Sequence, residues 1–482
     1  MKQVKQCAVA LLGAIACLGL PTHADEFTVA HSGANVAASQ YGVTGAGIGV
    51  AVLDSGVKFS NELAETVKGG PSRIVAKALF ATTNTDDFCG HGTHVAAIIA
   101  GNGAASSGSG YFRTFKGIAP NTNIINVKVL DNQGRGTVSQ TISGIQWCIA
   151  NKTRFNIRVM NLSLGHEVGE SYTTDPLCQA VEAAYRAGIV VVCAAGNNGR
   201  ANTTQTPGMD NEGWGSAYGS IQSPANDPYV ITVGAMKQNL STAVPGAYTG
   251  NRVADKITTY SSRGPSRLDF VMKPDIVAPG NRVISAIVDK GFLDTTYSST
   301  NLVRENEYRT GSTSISKQYF YLSGTSMAAP VVAGAAALLL QKYPTLTPDS
   351  VKARLMLSAD KWMMPNGGRD ITAYGAGYLN IPAALANTAV ATKSAVSPRL
   401  FRDAVGNVLM NTSDLFKTDQ VIWGTSGLNN LQGIWGDQVI WGTQVIWGSQ
   451  VLWGDANWTD QVIWGTGSST VDLTSTAING EN

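Results

Sequence analysis

Apolar residues in this chain form short runs that alternate with segments of helical periodicity. Runs rich in Val and Ile predict buried strands at residues 48–53, 124–129, 159–162, 189–193 and 229–233. Segments with helical spacing lie between them, at residues 91–100, 138–150 and 180–187. This alternation predicts an α/β fold: a three-layer sandwich whose mostly parallel central sheet carries helices on both faces, joined by right-handed crossovers.

Polar residues at the ends of these elements carry the candidate chemistry. Asp54 closes the first strand and Asn197 follows the strand at 189–193, and α/β proteins assemble their sites at the carboxyl ends of parallel strands. His91 lies between two glycines at the start of a helix. Ser326, within residues 324–330, opens an alanine-rich helix whose N-terminus favours developing negative charge. A serine needs a base, and the base needs an orienting group, so these residues predict nucleophilic catalysis in the chain order Asp54, His91, Ser326.

The four segments resemble those of the subtilisin-like serine peptidases, the subtilase family, which share this order. Further segments agree with the family, so that the resemblance extends over residues 42–386; they are 127–130, 134–136, 160–165, 260–265 and 273–280. The resemblance implies a subtilisin-like fold and a serine endopeptidase. Ser326 would attack the scissile carbonyl, His91 would transfer the proton, and Asp54 would orient the imidazole. Asn197 and the Ser326 N–H would bind the oxyanion, and losing one such donor typically costs about 3–4 kcal/mol of barrier.

The resemblance also implies how a polypeptide substrate is held. Two edge segments would clasp an extended peptide as an added strand: Gly134, Arg135 and Gly136 on one side, and Ser163, Leu164 and Gly165 on the other. Ala194 and Gly196 would line the pocket for the side chain that precedes the cut. Asn198 at the rim of that pocket is neutral, which favours an uncharged or apolar side chain there.

Other polar residues have plainer interpretations. The apolar neighbours of His94 place it in the core, and His166 is predicted to lie on the surface. Asp86 and Asp87 are interpreted as solvated loop acids, Asp269 and Asp275 as metal or cap residues, with a structural role favoured for Asp275. The chemistry requires no cofactor. A structural calcium ion is compatible with the family, but the sequence assigns no ligand to it and predicts no other metal site.

The N-terminus predicts export. Lys2 and Lys5 precede an apolar run over residues 7–20, and Ala24 suits signal cleavage. The expected domains are therefore a signal peptide at 1–24, a peptidase domain at 25–392 and a C-terminal tail at 393–482, in a secreted, periplasmic or cell-surface protein. The run is short for a membrane span, and no later segment predicts one. The signal accounts for the net charge of +2, since the other 33 basic residues match 33 acidic ones, and nothing favours a nucleic-acid partner.

Four cysteines lie beyond the signal: Cys89, Cys148, Cys178 and Cys193. In an exported protein they permit two disulfides in three pairings, and Cys148 with Cys178, on two predicted helices, is the first expectation. Two polar stretches, residues 200–220 and 289–319, predict surface loops that could wall the substrate cleft. Only residues 25–47 precede the first strand of the peptidase domain, which is too short for the folded pro-domain that exported bacterial subtilases usually carry.

The tail contains a Trp-rich repeat. Gln-Val-Ile-Trp-Gly or a close variant recurs within residues 420–465, with the central four copies in strict six-residue register, and seven of the 10 tryptophans lie in the tail. Because so few hexads cannot bury a core of their own, the repeat predicts packing on the peptidase domain, on another protein or on other copies; a weakly ordered tail stays open. A sharper hypothesis has the tail cover the protease as extended strands near the cleft. The alternative function is a repeat-mediated binding or assembly protein with the peptidase domain as scaffold.

Overall fold

The fold is an α/β arrangement around one large sheet. The computed structural model describes residues 24–25, 27–202, 215–237, 252, 255–315, 317–362, 370–402, 404, 408–411 and 470–472. The predicted signal up to residue 23 and the repeats at 420–465 lie outside these ranges. Helices of the described residues are α1 (Phe27–Ser32), α2 (Ala34–Tyr41), α3 (His91–Ala100), α4 (Val138–Asn151), α5 (Pro176–Arg186), α6 (Phe292–Asn301), α7 (Thr325–Lys342), α8 (Pro348–Ser358), α9 (Ile371–Tyr374) and α10 (Ile381–Ala386).

The strands are short and mostly apolar. They are β1 (Ala24–Asp25), β2 (Gly49–Asp54), β3 (Ala64–Thr66), β4 (Gly69–Ser72), β5 (Ile74–Leu79), β6 (Arg113–Thr114), β7 (Asn123–Lys128), β8 (Arg135–Thr137), β9 (Ile157–Leu162), β10 (Val190–Ala194), β11 (Ile231–Lys237), β12 (Lys256–Ile257), β13 (Ile276–Pro279), β14 (Val283–Ala286), β15 (Tyr319–Leu322), β16 (Leu400–Arg402), β17 (Val408–Met410) and β18 (Thr470–Asp472). Every strand and helix predicted from periodicity is present, with ends shifted by a few residues at most.

Eight strands form the central sheet in the order β12-β11-β10-β9-β2-β7-β5, with β13 also paired to β11. All pairings are parallel except that of β11 with β12. β2, β9 and β10 are buried along their length except for one residue of β9. Such strands read as continuous apolar runs because helices cover both of their faces.

Neighbouring residues of β2 identify those two faces. Gly144 of α4 lies against Leu53, whereas Gly92 of α3 lies against Asp54. Since consecutive side chains of a strand point to opposite faces, α3 and α4 cover opposite sides of the sheet. The long helix α7 packs beside α3, and α5 packs beside α4. The central sheet between these two helical layers confirms the predicted three-layer α/β architecture with a mostly parallel sheet.

The stretch at 289–319 differs from its prediction as a surface loop. It contains α6 and contributes to a small second core, in which Val303, Tyr308 and Tyr319 pack with Phe115 and Ile284. The backbone N–H groups of Phe292 and Leu293, at the start of α6, donate to the carbonyls of residues 88 and 89. The prediction was wrong because few aliphatic residues mark this segment, while its aromatic residues are buried by contacts distant in sequence.

The predicted pairing of Cys148 with Cys178 is also wrong. All four cysteines of the described chain are free thiols, and all are buried. The Cys178 thiol donates to Asn226 Oδ1 at 3.3 Å, and burial raises the pKa of the Cys148 thiol well above its ordinary value. Helices α4 and α5 are neighbours as expected, but each thiol serves as a small buried side chain.

Candidate active site

Register brings the candidate residues to one edge of the sheet. Leu162 of β9 is aligned with Leu53 on one side and with Cys193 on the other. The residues that follow, Asp54, Ser163 and Ala194, therefore lie side by side at the carboxyl ends of three adjacent parallel strands. Asn197 comes three residues after the last of them. The sequence prediction that polar groups collect at this edge is confirmed in the fold.

His91 and Asp54 form a buried pair at this edge. His91 Nδ1 lies 2.8 Å from Asp54 Oδ1 and 3.0 Å from Oδ2, and the backbone N–H of Ser55 also donates to Oδ1 at 2.7 Å. Asp54 is fully buried and His91 is 2% exposed. A carboxylate at Nδ1 places a proton on that nitrogen, which leaves Nε2 as the basic atom of the ring. His91 Nε2 is buried and has no hydrogen-bond partner among the described residues.

The position of His91 depends on the glycine that follows it. His91 is the first residue of α3, and Gly92 lies so close to the carbonyl of Gly56 that a Cβ would be 2.1 Å from its oxygen. The Gly92 N–H donates to Ser55 Oγ at 3.0 Å. The first turn of α3 can therefore pack directly against residues 54–56, which brings the His91 imidazole to the Asp54 carboxylate.

Asp87 contradicts its interpretation as a solvated loop acid. Its side chain is fully buried, whereas neighbouring Asp86 is exposed as predicted. Asp87 Oδ1 accepts from Ser55 Oγ and from the N–H groups of Cys89 and Gly90, and Oδ2 accepts from both the N–H and the hydroxyl of Thr93. Burial raises the pKa of Asp87, and these donors oppose the rise. An acid that ties down the first turn of α3 is a capping residue, and its place just before a helix start was the available signal.

Ser326 lies in the first turn of α7 and is 5% exposed. Its hydroxyl donates to the carbonyl of Ser163 at 3.1 Å, and the Ser163 hydroxyl donates back to the carbonyl of Ser326 at 2.8 Å. This reciprocal pair joins the start of α7 to the end of β9. Because α3 and α7 pack together and start at His91 and Thr325, their N-terminal turns carry the histidine and the serine.

Asn197 is oriented by Thr325, which sequence reasoning had left without a role. Asn197 Oδ1 accepts from the backbone N–H of Thr325 at 2.9 Å and from its hydroxyl at 3.1 Å. The same hydroxyl oxygen accepts from the N–H of Gly196 at 3.1 Å. With its oxygen held by two donors, the carboxamide of Asn197 presents Nδ2 as its free donor end. The side chain of the residue before the serine thus links the helix start to the loop that bears the amide.

The two predicted substrate segments lie on either side of this edge. β8 comprises Arg135, Gly136 and Thr137, preceded by Gly134 at a φ of 80°, and it folds back on Leu130, whose N–H donates to the carbonyl of Asp54. Ser163, Leu164 and Gly165 continue β9, and all three are buried. Of the predicted pocket residues, Ala194 ends β10 and Gly196 adopts a φ of 104° against Gln222. Their binding roles stay predictions.

The remaining candidates are structural in the fold. His94 is buried and donates from Nε2 to the carbonyl of Phe320, and burial lowers its pKa to about 3. His166 is partly exposed, with Nδ1 donating to the carbonyl of Glu167. Asp269 accepts from the Ser171 hydroxyl and the Tyr172 N–H, so it caps a loop. Within the described residues no cluster of His, Cys, Asp or Glu is arranged to hold a metal ion, and a calcium site stays unassigned.

Comparison with known proteins places this sequence in a family. A profile of the subtilase family matches residues 45–433, most of the chain. The chain belongs to the subtilase family. It is 37% identical to the serine protease AprX of Bacillus subtilis over 361 residues, covering 74% of this chain and 70% of that protein. Subtilisin DY of Bacillus licheniformis is 34% identical over 343 residues, covering 71% of this chain and 92% of that protein. The family assignment makes this subtilase a serine-type endopeptidase.

A solved structure, described as a cold adapted subtilisin-like serine proteinase, also matches the subtilase. It is 28% identical, covers 70% of this chain and 88% of its own, and gives a TM-score of 0.44.

One described helix, Thr325–Lys342, is long and apolar enough to cross a membrane, but 89% of it is buried inside the protein. It is the core helix α7, whose first turn carries Ser326.

Proposed function

We propose that this subtilase cleaves internal bonds of extended polypeptides through Ser326, His91 and Asp54, with Asn197 in the oxyanion hole. The observation that carries the proposal is the state of the His91 ring. Its Nδ1 is held by Asp54 at 2.8 Å, while Nε2 is buried and has no partner among the described residues. An imidazole nitrogen in this state can act as a general base, and the first turn of α7, which packs beside α3, carries the hydroxyl of Ser326 whose proton it would accept.

The serine proton must first change acceptor. The Ser326 hydroxyl donates to the carbonyl of Ser163. When a substrate carbonyl approaches, the hydroxyl turns to His91 Nε2, its oxygen attacks the carbonyl carbon, and the imidazolium is stabilised by Asp54. The proton then passes to the leaving amine as the peptide C–N bond breaks, leaving an acyl-enzyme that water hydrolyses. Catalytic hydrogen bonds are often absent before substrate binds and form only in the complex, which is consistent with this switch.

The tetrahedral oxyanion would lie between two donors. Asn197 Nδ2 faces away from Thr325, because Oδ1 accepts both of the Thr325 donors. The backbone N–H of Ser326 at the start of α7 supplies the second donor, strengthened by the positive end of the helix. The two edge segments, β8 and residues 163–165, would bind the peptide backbone on either side. Lys2, Lys5 and the apolar run at 7–20 support export of the enzyme, with Asp25 as the first residue after cleavage.

Replacement of the nucleophile tests the proposal. Ser326→Ala should lower the cleavage of denatured casein at least about 10⁴-fold and abolish covalent labelling by a serine-directed fluorophosphonate. Ser323→Ala is the matched control, since Ser323 lies three residues earlier, is equally buried and accepts from the N–H of Arg282. The control should label normally. Casein cleavage that persists in Ser326→Ala would refute the assignment, and a folded wild type that never labels would favour the scaffold function.

A further inference from the structure

The strand β8 carries a second strand on its outer edge. β18, residues 470–472 near the end of the chain, pairs antiparallel with β8, aligning Thr470 with Thr137, Val471 with Gly136 and Asp472 with Arg135. On its inner edge β8 forms an antiparallel bridge from Gly136 to Leu130. A strand has only two edges of backbone donors and acceptors, so both edges of β8 are in use.

The edge that β18 occupies belongs to the candidate active site. Leu130, the inner neighbour of β8, donates its N–H to the carbonyl of Asp54 at 3.2 Å. Only the segment at Leu130 therefore separates β8 from Asp54, whose carboxylate contacts His91. Gly134, Arg135 and Gly136 are also the residues expected to bind an extended substrate by strand addition. A peptide that adds to this edge and β18 need the same backbone groups.

β8 is also firmly held, so it cannot move aside to bind both. Thr137, its last residue, caps α4, accepting from the N–H of Gln140 at 3.2 Å while the Gln140 side chain accepts from the Thr137 N–H at 2.9 Å. At the other end Asp131 Oδ1 accepts from the N–H groups of Gln133 and Arg135. A strand fixed at both ends offers one geometry to any partner, and two strands that need that geometry exclude each other.

We propose that residues 470–472 act as an internal ligand of the substrate edge, so that the full chain competes with its own polypeptide substrates. This rests on the proposed function, since it takes β8 as the substrate edge. A ligand on the same chain is present at a local concentration that does not depend on the protein concentration, so a short strand of modest intrinsic affinity can compete. The enzyme is fully open only when β18 leaves β8 or the C-terminal segment is removed.

The test measures peptide binding with chemistry switched off. In a Ser326→Ala background, the dissociation constant of a fluorescent extended peptide, one that the active enzyme cleaves, is compared between the full chain and a chain that ends at Gly465. Removing β18 should tighten binding about fivefold to tenfold, the effect of one hydrogen bond of ordinary net strength. A synthetic peptide spanning residues 466–476 should reverse this gain when it is added to the shorter chain.

A backbone variant guards against misfolding of the shortened chain. Alternate residues of an antiparallel strand direct their N–H to the partner, so Val471→Pro with Asp472→Pro must remove at least one donor that faces β8. This double variant should bind the fluorescent peptide like the shortened chain, and the matched pair Val471→Ala with Asp472→Ala should bind like the full chain.

The outcomes separate this inference from the proposed function. Equal dissociation constants in the full, shortened and proline-bearing chains would overturn the internal ligand, even if the active enzyme cleaves casein normally. In that case β18 closes a sheet edge that substrates do not use. If instead Ser326→Ala leaves casein cleavage intact, the proposed function fails first. Competition by the 466–476 peptide with the proline effect present supports the inference.

Discussion

Two buried aspartates at opposite edges of the same sheet have opposite surroundings. Asp54 is the last residue of β2, at the carboxyl edge, and Asp275 precedes β13, at the amino edge. Both are fully buried. Asp275 accepts from Lys273 Nζ at 2.8 Å, from the Ser397 hydroxyl at 2.5 Å and from the Thr232 N–H at 2.8 Å, with Lys352 Nζ at 3.3 Å. Asp54 has one ring nitrogen and one backbone N–H.

The difference separates stability from chemistry. At the amino edge both oxygens of Asp275 are paired: burial tends to raise the pKa of Asp275, but Lys273 and Lys352 bring it below its ordinary value. Burial likewise lowers the pKa of Lys352 to about 8, against the attraction of Asp275. At the carboxyl edge the chain of partners stops at His91 Nε2, which is unsatisfied among the described residues. A saturated cluster can only hold the fold together, whereas an incomplete one can receive a proton.

Asp54→Asn should have the largest effect on catalysis with little effect on stability. We expect kcat to fall about 10⁴-fold, because the amide favours the wrong tautomer of His91, which corresponds to roughly 5.5 kcal/mol of barrier. Stability should change by less than about 1 kcal/mol, since Asn is isosteric with Asp and its amide oxygen can still accept from the Ser55 N–H. Steady-state kinetics on a peptide substrate and urea unfolding measure the two effects. A loss of stability as large as the loss of activity would mean that Asp54 serves the fold as Asp275 does.

The opposite pattern is expected for Asp275→Asn. Two buried lysines lose their carboxylate, and breaking such a cluster typically costs about 3–5 kcal/mol of unfolding free energy. The folded variant should keep its kcat, because Asp275 lies at the other edge of the sheet. Exposed Asp289, 3.7 Å from Lys317, offers the matched control, and Asp289→Asn should leave both quantities unchanged. Urea unfolding measures the loss of stability, and steady-state kinetics on the folded fraction measure kcat. A large fall in kcat would contradict the assignment of stability to the amino edge and of chemistry to the carboxyl edge.

Asp275→Asn also tests how stability depends on pH. The pKa of Asp275 is lower in the folded protein than in an unfolded chain, where it is about 3.9. Its charge therefore stabilises the fold above that value, and the contribution is lost as pH falls through the folded pKa. Asp275→Asn should flatten the acid limb of a stability–pH profile, measured by urea unfolding between pH 5 and the acid limit of the native enzyme.

Periodicity predicted the carboxyl edge well and the amino edge poorly. The buried strands and the start of α3 at His91 follow from local apolar patterns, so Asp54, His91 and Ser326 could be placed from the sequence. Asp275 was correctly favoured as structural, but its partners Lys352 and Ser397 come from distant segments. Ser397 lies beyond the predicted domain boundary at 392, yet its hydroxyl reaches Asp275 and Leu400 is buried. The boundary itself stays a prediction.

Contacts distant in sequence also explain the other errors. Asp87 is buried beside Ser55, which is 32 positions away, and the start of α6 bonds to the carbonyls of residues 88 and 89. The place before α3 marks both Asp86 and Asp87 as capping candidates, and only the fold shows which of the two is buried. The pairing of β18 with β8 joins segments still further apart, and the sequence offered only the hypothesis of strands near the cleft. Whether Cys148 and Cys178 could form a disulfide likewise depended on the relative orientation of α4 and α5, which local sequence does not determine.

Asp87 combines the two patterns, which makes it the finest test of the comparison. It lies at the carboxyl edge like Asp54, yet its two oxygens accept from five donors, much as those of Asp275 are paired with four. In Asp87→Asn one oxygen becomes an NH₂ group that faces donors, most directly the N–H and hydroxyl of Thr93. The first turn of α3 should then loosen at a cost of about 1–3 kcal/mol of unfolding free energy.

Since His91 begins that turn, Asp87 is a positioning residue, and its loss should also slow the chemistry. We expect kcat/KM to fall about tenfold, equivalent to 1.4 kcal/mol, with an equal fall in the rate of fluorophosphonate labelling. Asp86→Asn is the control one residue away. The Asp86 side chain is exposed and makes a long ion pair with Lys77 at 3.8 Å, so this variant should change neither kcat/KM nor the labelling rate. If folded Asp87→Asn labels at the wild-type rate while its stability falls, Asp87 belongs with Asp275, and saturation rather than the edge of the sheet determines the role of a buried acid.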